Sequence, residues 1–422
     1  MKKKINHILP ALVLTASLGL TTVSCNGFLD EMPDNRTELN TDQKIAKLLV
    51  SAYADVSPNE LFELYSDNSD DSGPTYGYYK LSEQECYHWQ DTKEEYQDTP
   101  NSLWGGYYSA IAAANMALNA IEEKGNPASL DPQRGEALVC RAYCHFMLAN
   151  IFCNAYDTHA SQSLGVPYME EVETTVSPRY ERGTLEEVYR KVERDLLEGI
   201  DLISDDSYSV PKYHFTRKAA YAFAARFYLY YMKPDFSNCD RVIDFATRVL
   251  GTNPADLLRN WEALGNLSVN GNVQADAYIA SSNEANLLIS STVSNWGAIG
   301  SDYLIGPRYF HNQTLATSET CLSSGLWGSS DYFYLKPFST NGFVASILRK
   351  SGLYEGTYLY YMPVLFSTDE TLLCRAEAYA LKKMYAQSAA DITSWQRAYT
   401  RNKSVLTPEQ INTYYDRMSF YT

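Results

Sequence analysis

The segment TRKAAYAFAARFYLYYMKPDFSNCDRVIDFATRVLG, residues 216–251, carries the start and stop signals of two consecutive helices. Thr216 offers an N-cap for the first helix and Pro234 breaks it. Ser237 offers an N-cap for the second helix, which ends at Gly251. Two helices joined by a short turn within about 34 residues match the size of a tetratricopeptide unit, although the full consensus is absent. The segment therefore predicts a helix pair of that kind.

Helical signals recur on both sides of this pair. Upstream, Thr184 and Glu187 form a capping box, and Asp131 followed by Pro132 offers an N-cap and a first helical residue. Downstream, a second helix pair is predicted over residues 369–398. The sequence thus predicts a scaffold assembled from paired helices.

The predicted fold class is mainly all-α. Tetratricopeptide-like helix pairs are expected over about 41–250 and about 369–422. From about 251 to 368, Gly, Ser, Asn and Thr with interspersed aromatic residues replace the helical signals, which predicts a long irregular, loop-rich face. Residues 41–422 are expected to form a single domain. Trp104 lies on the apolar face of a predicted helix, so we expect it in the core.

Residues 64–100, which we call the acidic cap, read LYSDNSDDSGPTYGYYKLSEQECYHWQDTKEEYQDTP. The stretch is acidic, rich in Tyr and broken by Gly and Pro, which predicts a long ordered loop. Within it, NSDDSG places Asn68, Asp70, Ser72 and Gly73 at the first positions of an EF-hand loop. Tyr79 stands where calcium requires a bidentate glutamate, so an acidic turn is the main interpretation and a structural calcium site the alternative.

The N-terminus has the organisation of an export signal. A Lys-rich start, an apolar run from Ile8 to Leu20 and small residues after it predict a signal peptide over residues 1–24. Ser24 followed at once by Cys25 resembles a bacterial lipobox. Cys25 would then be the acylated first residue of the mature chain, with residues 25–40 as a lipid tether. An ordinary cleavage site that happens to precede a cysteine is the alternative.

Charge and cysteine content exclude several classes of function. Loss of residues 1–24 removes three lysines and no acids, which moves the formal charge from −16 to −19. Such a chain would repel a polyanion, so nucleic acid is not an expected partner. Lipidation of one of eight cysteines leaves an odd number, so at least one thiol stays free. Cys140 and Cys144 share a helical face without further ligands, which favours buried thiols over a zinc site.

Catalytic motifs are missing from the sequence. It contains no HExxH, GxxxxGK[ST] or GxSxG motif and no GxGxxG opening a helix, and its six histidines form no obvious triad or metal cluster. The acid pairs Glu170–Glu171 and Glu186–Glu187 could serve glycoside hydrolysis, but solvated surface is the commoner role of such pairs. The sequence motifs therefore indicate neither a catalytic centre nor a cofactor.

Several segments, in order, resemble the SusD/RagB family of Bacteroidetes outer-membrane nutrient-binding lipoproteins. They are SCNGFLDEMPDN, LWGGYYSAIAAANMALNAI, GEALVCRAYCHFMLANIFCNAY, GVPYMEEV, KAAYAFAARFYLYYM and DETLLCRAEAYALKKMYAQSAADITSWQRAY. Asp30 and Glu31 resemble the acidic patch that sends some Bacteroidetes lipoproteins to the cell exterior. Family members continue beyond the point where this chain stops, at YYDRMSFYT, so a C-terminal part is expected to be missing.

The resemblance implies a cell-surface lipoprotein that is anchored to the outer membrane through Cys25. Its helical scaffold would lie as a lid over a SusC-like TonB-dependent transporter, capture glycans and pass them inward without cleaving them. A peptide-capturing lid of the RagB type is the first alternative. A surface glycosidase and a helical scaffold for protein partners are the other two.

Sugar rings stack on aromatic rings, and their hydroxyls need polar side chains at the edge. Family members often contribute aromatic residues from the loop that corresponds to the acidic cap, which selects Trp89. The irregular region contributes the remaining candidates: Asn295, Trp296, Trp327 and Tyr332, with Arg308 and Asn283 as further polar groups. For each aromatic candidate, anchoring of a loop in the core is the alternative.

Overall fold

A computed structural model provides the geometry of most of the chain. It describes residues 39–67, 69–75, 80–175, 178–268, 273–295, 308–310, 325–329, 332–335, 338–339, 342–343, 352–355 and 358–417. Contacts group Thr41–Thr422 into one unit, separate from Met1–Asn40.

Helices dominate the described residues. They are α1 (Asp42–Leu48), α2 (Asn59–Leu64), α3 (Leu81–Tyr87), α4 (Pro100–Glu123), α5 (Asp131–Phe152), α6 (Leu185–Leu202), α7 (Arg217–Tyr230), α8 (Cys239–Leu250), α9 (Trp261–Gly265), α10 (Val273–Ile279), α11 (Thr368–Leu381), α12 (Tyr385–Tyr399) and α13 (Pro408–Tyr415). The mainly α-helical fold class is therefore confirmed.

The helix pairs predicted from the sequence are present. Helices α7 and α8 pack together, and the Thr216 hydroxyl caps α7 by accepting the Ala219 N–H at 3.2 Å. Gly251 ends α8 with φ of 64°. Helix α8 follows Asn238, so the predicted cap at Ser237 is one residue too early. Helices α11 and α12 form the second predicted pair, and α11 also packs against α8.

Helices α5 and α6 approach each other at two glycines. A Cβ atom on Gly199 would lie 2.7 Å from the Gly135 carbonyl oxygen, and one on Gly135 would lie 2.8 Å from the Gly199 carbonyl oxygen. Beside this crossing, Arg141 Nε donates to Asp195 Oδ2 at 2.6 Å within the core. Close backbone contact and a buried ion pair together hold α5 and α6 in register.

An aromatic core joins the helices to the irregular region. The ring of Tyr143 on α5 lies 5.5 Å from Phe223 on α7 and 5.7 Å from Phe366, between ring centroids. Phe366 belongs to a strand that leads directly into α11. Edge-to-face rings at this spacing gain energy beyond their buried area. The loop-rich face is thus fixed to the scaffold by packing.

Short antiparallel strands, paired two or three at a time, occupy the irregular region, apart from one strand in the acidic cap. They are β1 (Asp70–Asp71), β2 (Asn286–Ile289), β3 (Thr292–Val293), β4 (Tyr309–Phe310), β5 (Phe338–Ser339), β6 (Gly342–Phe343), β7 (Gly352–Glu355), β8 (Tyr358–Tyr361) and β9 (Val364–Ser367). The sheets have the orders β1-β4, β2-β9, β3-β8-β7 and β5-β6. The pairing of β1 with β4 draws the acidic cap to the irregular region.

The exposure of Trp104 in α4 tests its predicted position in the core. Trp104 is 36% exposed and packs at the edge of the core, with its ring 4.9 Å from Tyr108 and 5.0 Å from Phe152, so its predicted core position is wrong. The error arises because the buried stripe of α4 follows Leu103 and Tyr107, one residue away in register. No helix in the described residues has both the length and the apolar character to cross a bilayer.

Candidate functional site

The acidic cap is attached to the irregular region by an ion pair across two strands. Strand β1 pairs antiparallel with β4, with Asp71 opposite Tyr309. Arg308 binds Asp71 with two hydrogen bonds, Nε to Oδ1 at 2.7 Å and Nη2 to Oδ2 at 2.8 Å. Hydrogen bonds from Arg308 hold the pKa of the Asp71 carboxyl below its ordinary value. Arg308, predicted as a ligand contact, thus holds the cap in place.

Trp89 follows the C-terminus of α3 in a left-handed conformation. Its N–H donates to the Cys86 carbonyl at 2.9 Å, and the Gln90 N–H donates to the Glu85 carbonyl at 2.8 Å. These two bonds are the Schellman motif, whose left-handed position is usually glycine. Trp89 adopts φ of 55° at that position. A non-glycine residue there costs roughly 1–2 kcal/mol.

The Trp89 side chain gains little packing in return for that strain. It is 74% exposed, and its ring is 4.8 Å from the Tyr65 ring, at 51°. Backbone strain at an exposed aromatic residue has no explanation in core packing. Such outliers cluster at ligand-binding positions.

Further aromatic rings pack within the acidic cap and against Tyr309. We define the cap aromatic cluster as Tyr65, Tyr87, His88, Trp89 and Tyr309. The Tyr87 ring stacks on Tyr309 at 4.7 Å and 29°, and the exposed His88 ring meets Tyr309 at 5.8 Å. Tyr309 follows Arg308 in the chain, so the structure brings the predicted residues Trp89 and Arg308 into one region.

Sequence reasoning missed four members of this cluster. Tyr87 and His88 immediately precede Trp89 in the sequence, and this proximity was an available signal. Tyr309 carried no such signal because it reaches the cap only through the β1–β4 pairing.

Asn295 lies at the base of the acidic cap. Its backbone N–H donates to Asp98 Oδ2 at 2.7 Å, and its side-chain oxygen accepts from Gln97 Nε2 at 3.0 Å. Beneath it, burial and the neighbouring charge of Asp98 raise the pKa of the Glu60 carboxyl well above its ordinary value. Asn295 therefore links the end of the cap to the chain that follows β3.

Trp327 and Tyr332 belong to a second aromatic group, next to α12. The Trp327 ring lies 6.2 Å from Phe333, which in turn lies 5.3 Å from Tyr399 of α12. Trp327 is partly buried, whereas Tyr332 is 44% exposed and accepts the Arg401 N–H through its carbonyl at 2.6 Å. Of the two, Tyr332 presents its ring to solvent and Trp327 mainly anchors its turn.

The remaining predicted residues are apart from these groups. Asn283 Oδ1 accepts the Ala285 N–H at 3.1 Å, in the turn before β2, so its side chain orders that turn. Trp296 and Cys25 lie outside the described residues, as do Asn68 and Tyr79 of the EF-hand-like stretch.

Reactive groups in the described residues are few. Six cysteines there are free thiols, and Cys140 and Cys144 are buried as expected. Burial raises the pKa of the Cys144 thiol to about 12, which makes it inert at neutral pH. Within the described residues, no group of three His, Cys, Asp or Glu side chains is arranged to hold a metal ion.

The exposed candidates Trp89 and Tyr332 present their rings to solvent. Two cavities, of about 250 Å³ and about 470 Å³, are lined by none of the predicted residues that the structure describes. An exposed ring on an open surface suits a ligand that is too long to be enclosed, whereas small ligands are usually enclosed in clefts.

Comparison with known proteins identifies structures that share this fold over most of the chain. Residues 27–229 match the SusD-like family model, described as starch-binding associating with outer membrane. A SusD superfamily protein from Bacteroides fragilis is similar at 15% identity and a TM-score of 0.62, with 89% of this chain and 86% of that chain covered. No curated protein matches the chain.

Two further solved structures carry descriptions of binding. A sugar-binding protein from Bacteroides vulgatus is similar at 21% identity and a TM-score of 0.54, over 89% of this chain and 83% of that chain. Surface glycan-binding protein A from Bacteroides uniformis is similar at 14% identity and a TM-score of 0.57, over 89% of this chain and 84% of that chain. At these identities the similarity establishes the shared fold.

Proposed function

We propose that this chain, which belongs to the SusD-like family, captures glycans at the cell surface through its cap aromatic cluster. Trp89 carries the proposal, because its ring is exposed and its backbone is strained without any gain in core packing. A flat indole face in solvent offers a surface on which the C–H face of a sugar ring can stack. Members of the family and two structural relatives are described as binding starch, sugar or glycans.

The open position of Trp89 favours a polymer over a small solute. Arg308 and Asp71 fix the cap, so the aromatic cluster is preorganised and pays little ordering entropy when a ligand binds. The ligand would lie across the cap with other chain segments contributing further contacts. Trp296 and Tyr332 remain predicted contacts on this account.

Delivery to a transporter completes the proposed role. The chain would be anchored to the outer membrane by acylated Cys25 and would pass captured glycan to a SusC-like TonB-dependent transporter. Binding without cleavage is proposed, because the sequence contains none of the catalytic motifs considered above and the matching family model describes starch binding.

Native affinity gels with plant, fungal and host polysaccharides test the proposal. The protein should be retarded by at least one glycan, and Trp89→Ala should weaken that retardation roughly 10-fold or more, as expected for a central aromatic contact. Tyr385→Ala is the matched control, because Tyr385 is a 53% exposed aromatic residue at the start of α12. Circular dichroism confirms that each variant is folded.

The other outcomes are equally informative. Retardation that is unchanged in Trp89→Ala would remove the cap aromatic cluster from the site. A folded protein that no glycan retards, but that binds peptides in solution, would replace glycan capture with the peptide-capturing alternative.

A further inference from the structure

A cavity of about 250 Å³ lies where the helical scaffold meets the irregular region. Its walls come from the chain before α2, from α4, α5 and α7, and from the chain around β3 and β9. Phe62 lines it and is also 42% exposed, which places an entrance beside that ring. A single water needs only about 10–15 Å³ of such space, so this cavity has room for a small organic ligand.

Several polar groups that line the cavity lack hydrogen-bond partners. In the part of the chain that the structure describes, the hydroxyls of Tyr107 and Tyr143 form no hydrogen bond, although both side chains are buried. Arg226 uses Nε and Nη2 for Glu370, at 2.5 and 2.6 Å, and leaves Nη1 without a bond to any described residue. None of these three atoms is completely shielded, so each is available to form a hydrogen bond with an occupant of the cavity.

The charge of the lining limits what that occupant is. Arg226 is the sole charged residue among those that line the cavity, in a chain with a formal charge of −16. Its charge is balanced by Glu370, which is not part of the lining. A second anion in this position would be buried without a countercharge, which is costly. The cavity therefore suits a neutral ligand.

Hydroxyl groups match the polar lining best. A phenol both donates and accepts hydrogen bonds, and a guanidinium only donates, so the ligand needs oxygen atoms that accept and some that donate. The walls between these groups are apolar and include Met147 and Phe215. A ring with hydroxyls at its edge and C–H bonds on its faces has both properties.

We propose that this cavity is a second binding site, which takes one neutral monosaccharide. The choice of a sugar rests on the proposed function, whereas the size, the neutrality and the hydroxyl content follow from the cavity. The site is separate from the cap aromatic cluster, because neither Trp89 nor any other member of that cluster lines it. A polysaccharide is retained at the cap, and a single sugar unit enters the cavity.

The test measures the binding of monosaccharides and of a polysaccharide to the same purified protein. Isothermal titration with glucose, galactose, mannose and N-acetylglucosamine should show binding of at least one. Tyr107→Phe and Tyr143→Phe each remove one hydroxyl and keep the ring, and each should weaken that binding about 2- to 10-fold. Glucuronate, which adds a carboxylate, should bind at least 10-fold more weakly than glucose if glucose is bound.

Trp89→Ala separates this proposal from the proposed function. Monosaccharide affinity should be unchanged in Trp89→Ala, and polysaccharide retardation should be unchanged in both Tyr→Phe variants. Absence of binding for all four sugars, binding that both Tyr→Phe variants leave intact, or binding that Trp89→Ala abolishes would each overturn the second site. A wild-type protein that no polysaccharide retards would instead contradict capture at the cap.

Discussion

Two helices end in the same left-handed motif with different side chains in the strained position. After α3 the residue is Trp89, with φ of 55°, and after α11 it is Lys383, with φ of 61°. The Lys383 N–H donates to the Ala380 carbonyl at 2.9 Å, which repeats the bond between Trp89 and Cys86. A flexible, solvated lysine is easily accommodated there, whereas an exposed indole adds apolar surface as well as strain. We attribute the presence of an exposed indole at this strained position to ligand binding.

Replacement of Trp89 by glycine should separate stability from binding. Trp89→Gly removes the unfavourable contact of a Cβ atom in the left-handed region, so the free energy of unfolding should rise by about 1 kcal/mol. Glycan retardation should be lost at the same time. Urea denaturation and affinity gels measure the two effects.

Lys383→Gly is the matched control for that substitution. It should raise stability by a similar amount and leave glycan retardation unchanged, because Lys383 is remote in sequence from the cap and ends a scaffold helix. A Trp89→Gly protein that is clearly less stable than wild type would mean that Trp89 contributes to packing and that the strain argument is wrong.

His145 is held in one neutral state by two backbone groups. Its Nδ1 lies 2.9 Å from the Arg141 carbonyl oxygen, which can only accept, so Nδ1 carries the proton. Its Nε2 accepts the Met169 N–H at 2.9 Å, and the ring stacks on Tyr168 at 3.8 Å. Burial lowers the pKa of His145 to about 3, because protonation would place a charge in the core and a second hydrogen against an N–H donor.

This histidine should make the protein less stable in mild acid. The unfolded chain binds a proton below about pH 6.5, whereas the folded chain does not until about pH 3, so stability is lost as the pH falls through that window. The free energy of unfolding falls by at most about 1.4 kcal/mol per pH unit from this one group. Urea denaturation of wild type and His145→Gln between pH 4.5 and 7.5 should show a smaller slope for the variant. Equal slopes would exclude His145 as the cause.

The close approach of α5 and α6 depends on the absence of two Cβ atoms. At Gly199 a Cβ atom would meet Val139 Cγ2 at 2.6 Å and the Gly135 carbonyl oxygen at 2.7 Å. The backbone of α5 cannot yield without moving the Arg141–Asp195 ion pair, which is buried between the same helices. Helix packing at this crossing is thus set by residue size.

Gly199→Ala should destabilise the protein despite the better helix propensity of alanine. Overpacking costs about 1–3 kcal/mol, which exceeds the gain of about 1 kcal/mol in propensity. Gly105→Ala in α4 is the control, because its Cβ atom would meet nothing within 4 Å, and it should stabilise by about 0.5–1 kcal/mol. Chemical denaturation measures both, and a stabilised Gly199→Ala protein would contradict the close approach.

The charge of the whole chain restricts how it recognises a ligand. With a formal charge of −16, long-range attraction of a polyanion is excluded, and contacts must be made at short range by rings and hydrogen bonds. Arg308 is paired with Asp71 of the acidic cap, so this cation does not create a basic surface. Recognition by stacking is compatible with both observations.

Glycan retention should therefore be insensitive to salt. Retardation by the bound polysaccharide should be the same at 50 and 500 mM NaCl, because the interaction of neutral surfaces is not screened. Heparin should cause no retardation at either concentration. A retention that falls steeply with salt would indicate an anionic ligand and a hidden basic site, contrary to the proposal.

Local signals in the chain were sufficient for the long scaffold helices, but not for α3, which lies in the acidic cap that was predicted as a loop. The capping box Thr184–Glu187 is present as predicted, because it is made within one helical turn and needs no distant partner. The start of α5 was predicted one residue late, since the helix begins at Asp131 itself. The exact N-terminus of α5 depends on the 3₁₀ turn that precedes it, a feature without a sequence signal.

The candidate site depended on contacts between distant parts of the chain. Trp89 was selected from the sequence, but its left-handed backbone and exposed ring follow from how α3 ends in the folded cap. Arg308 and Asp71 are 237 residues apart, and Tyr87 meets Tyr309 only because β1 pairs with β4. Neither pairing could be predicted, because closure of so long a loop is governed by the packing of the whole scaffold and leaves no local pattern in the residues that meet. Short-range hydrogen bonds therefore specify the helices of this protein, and long-range packing specifies its binding surface.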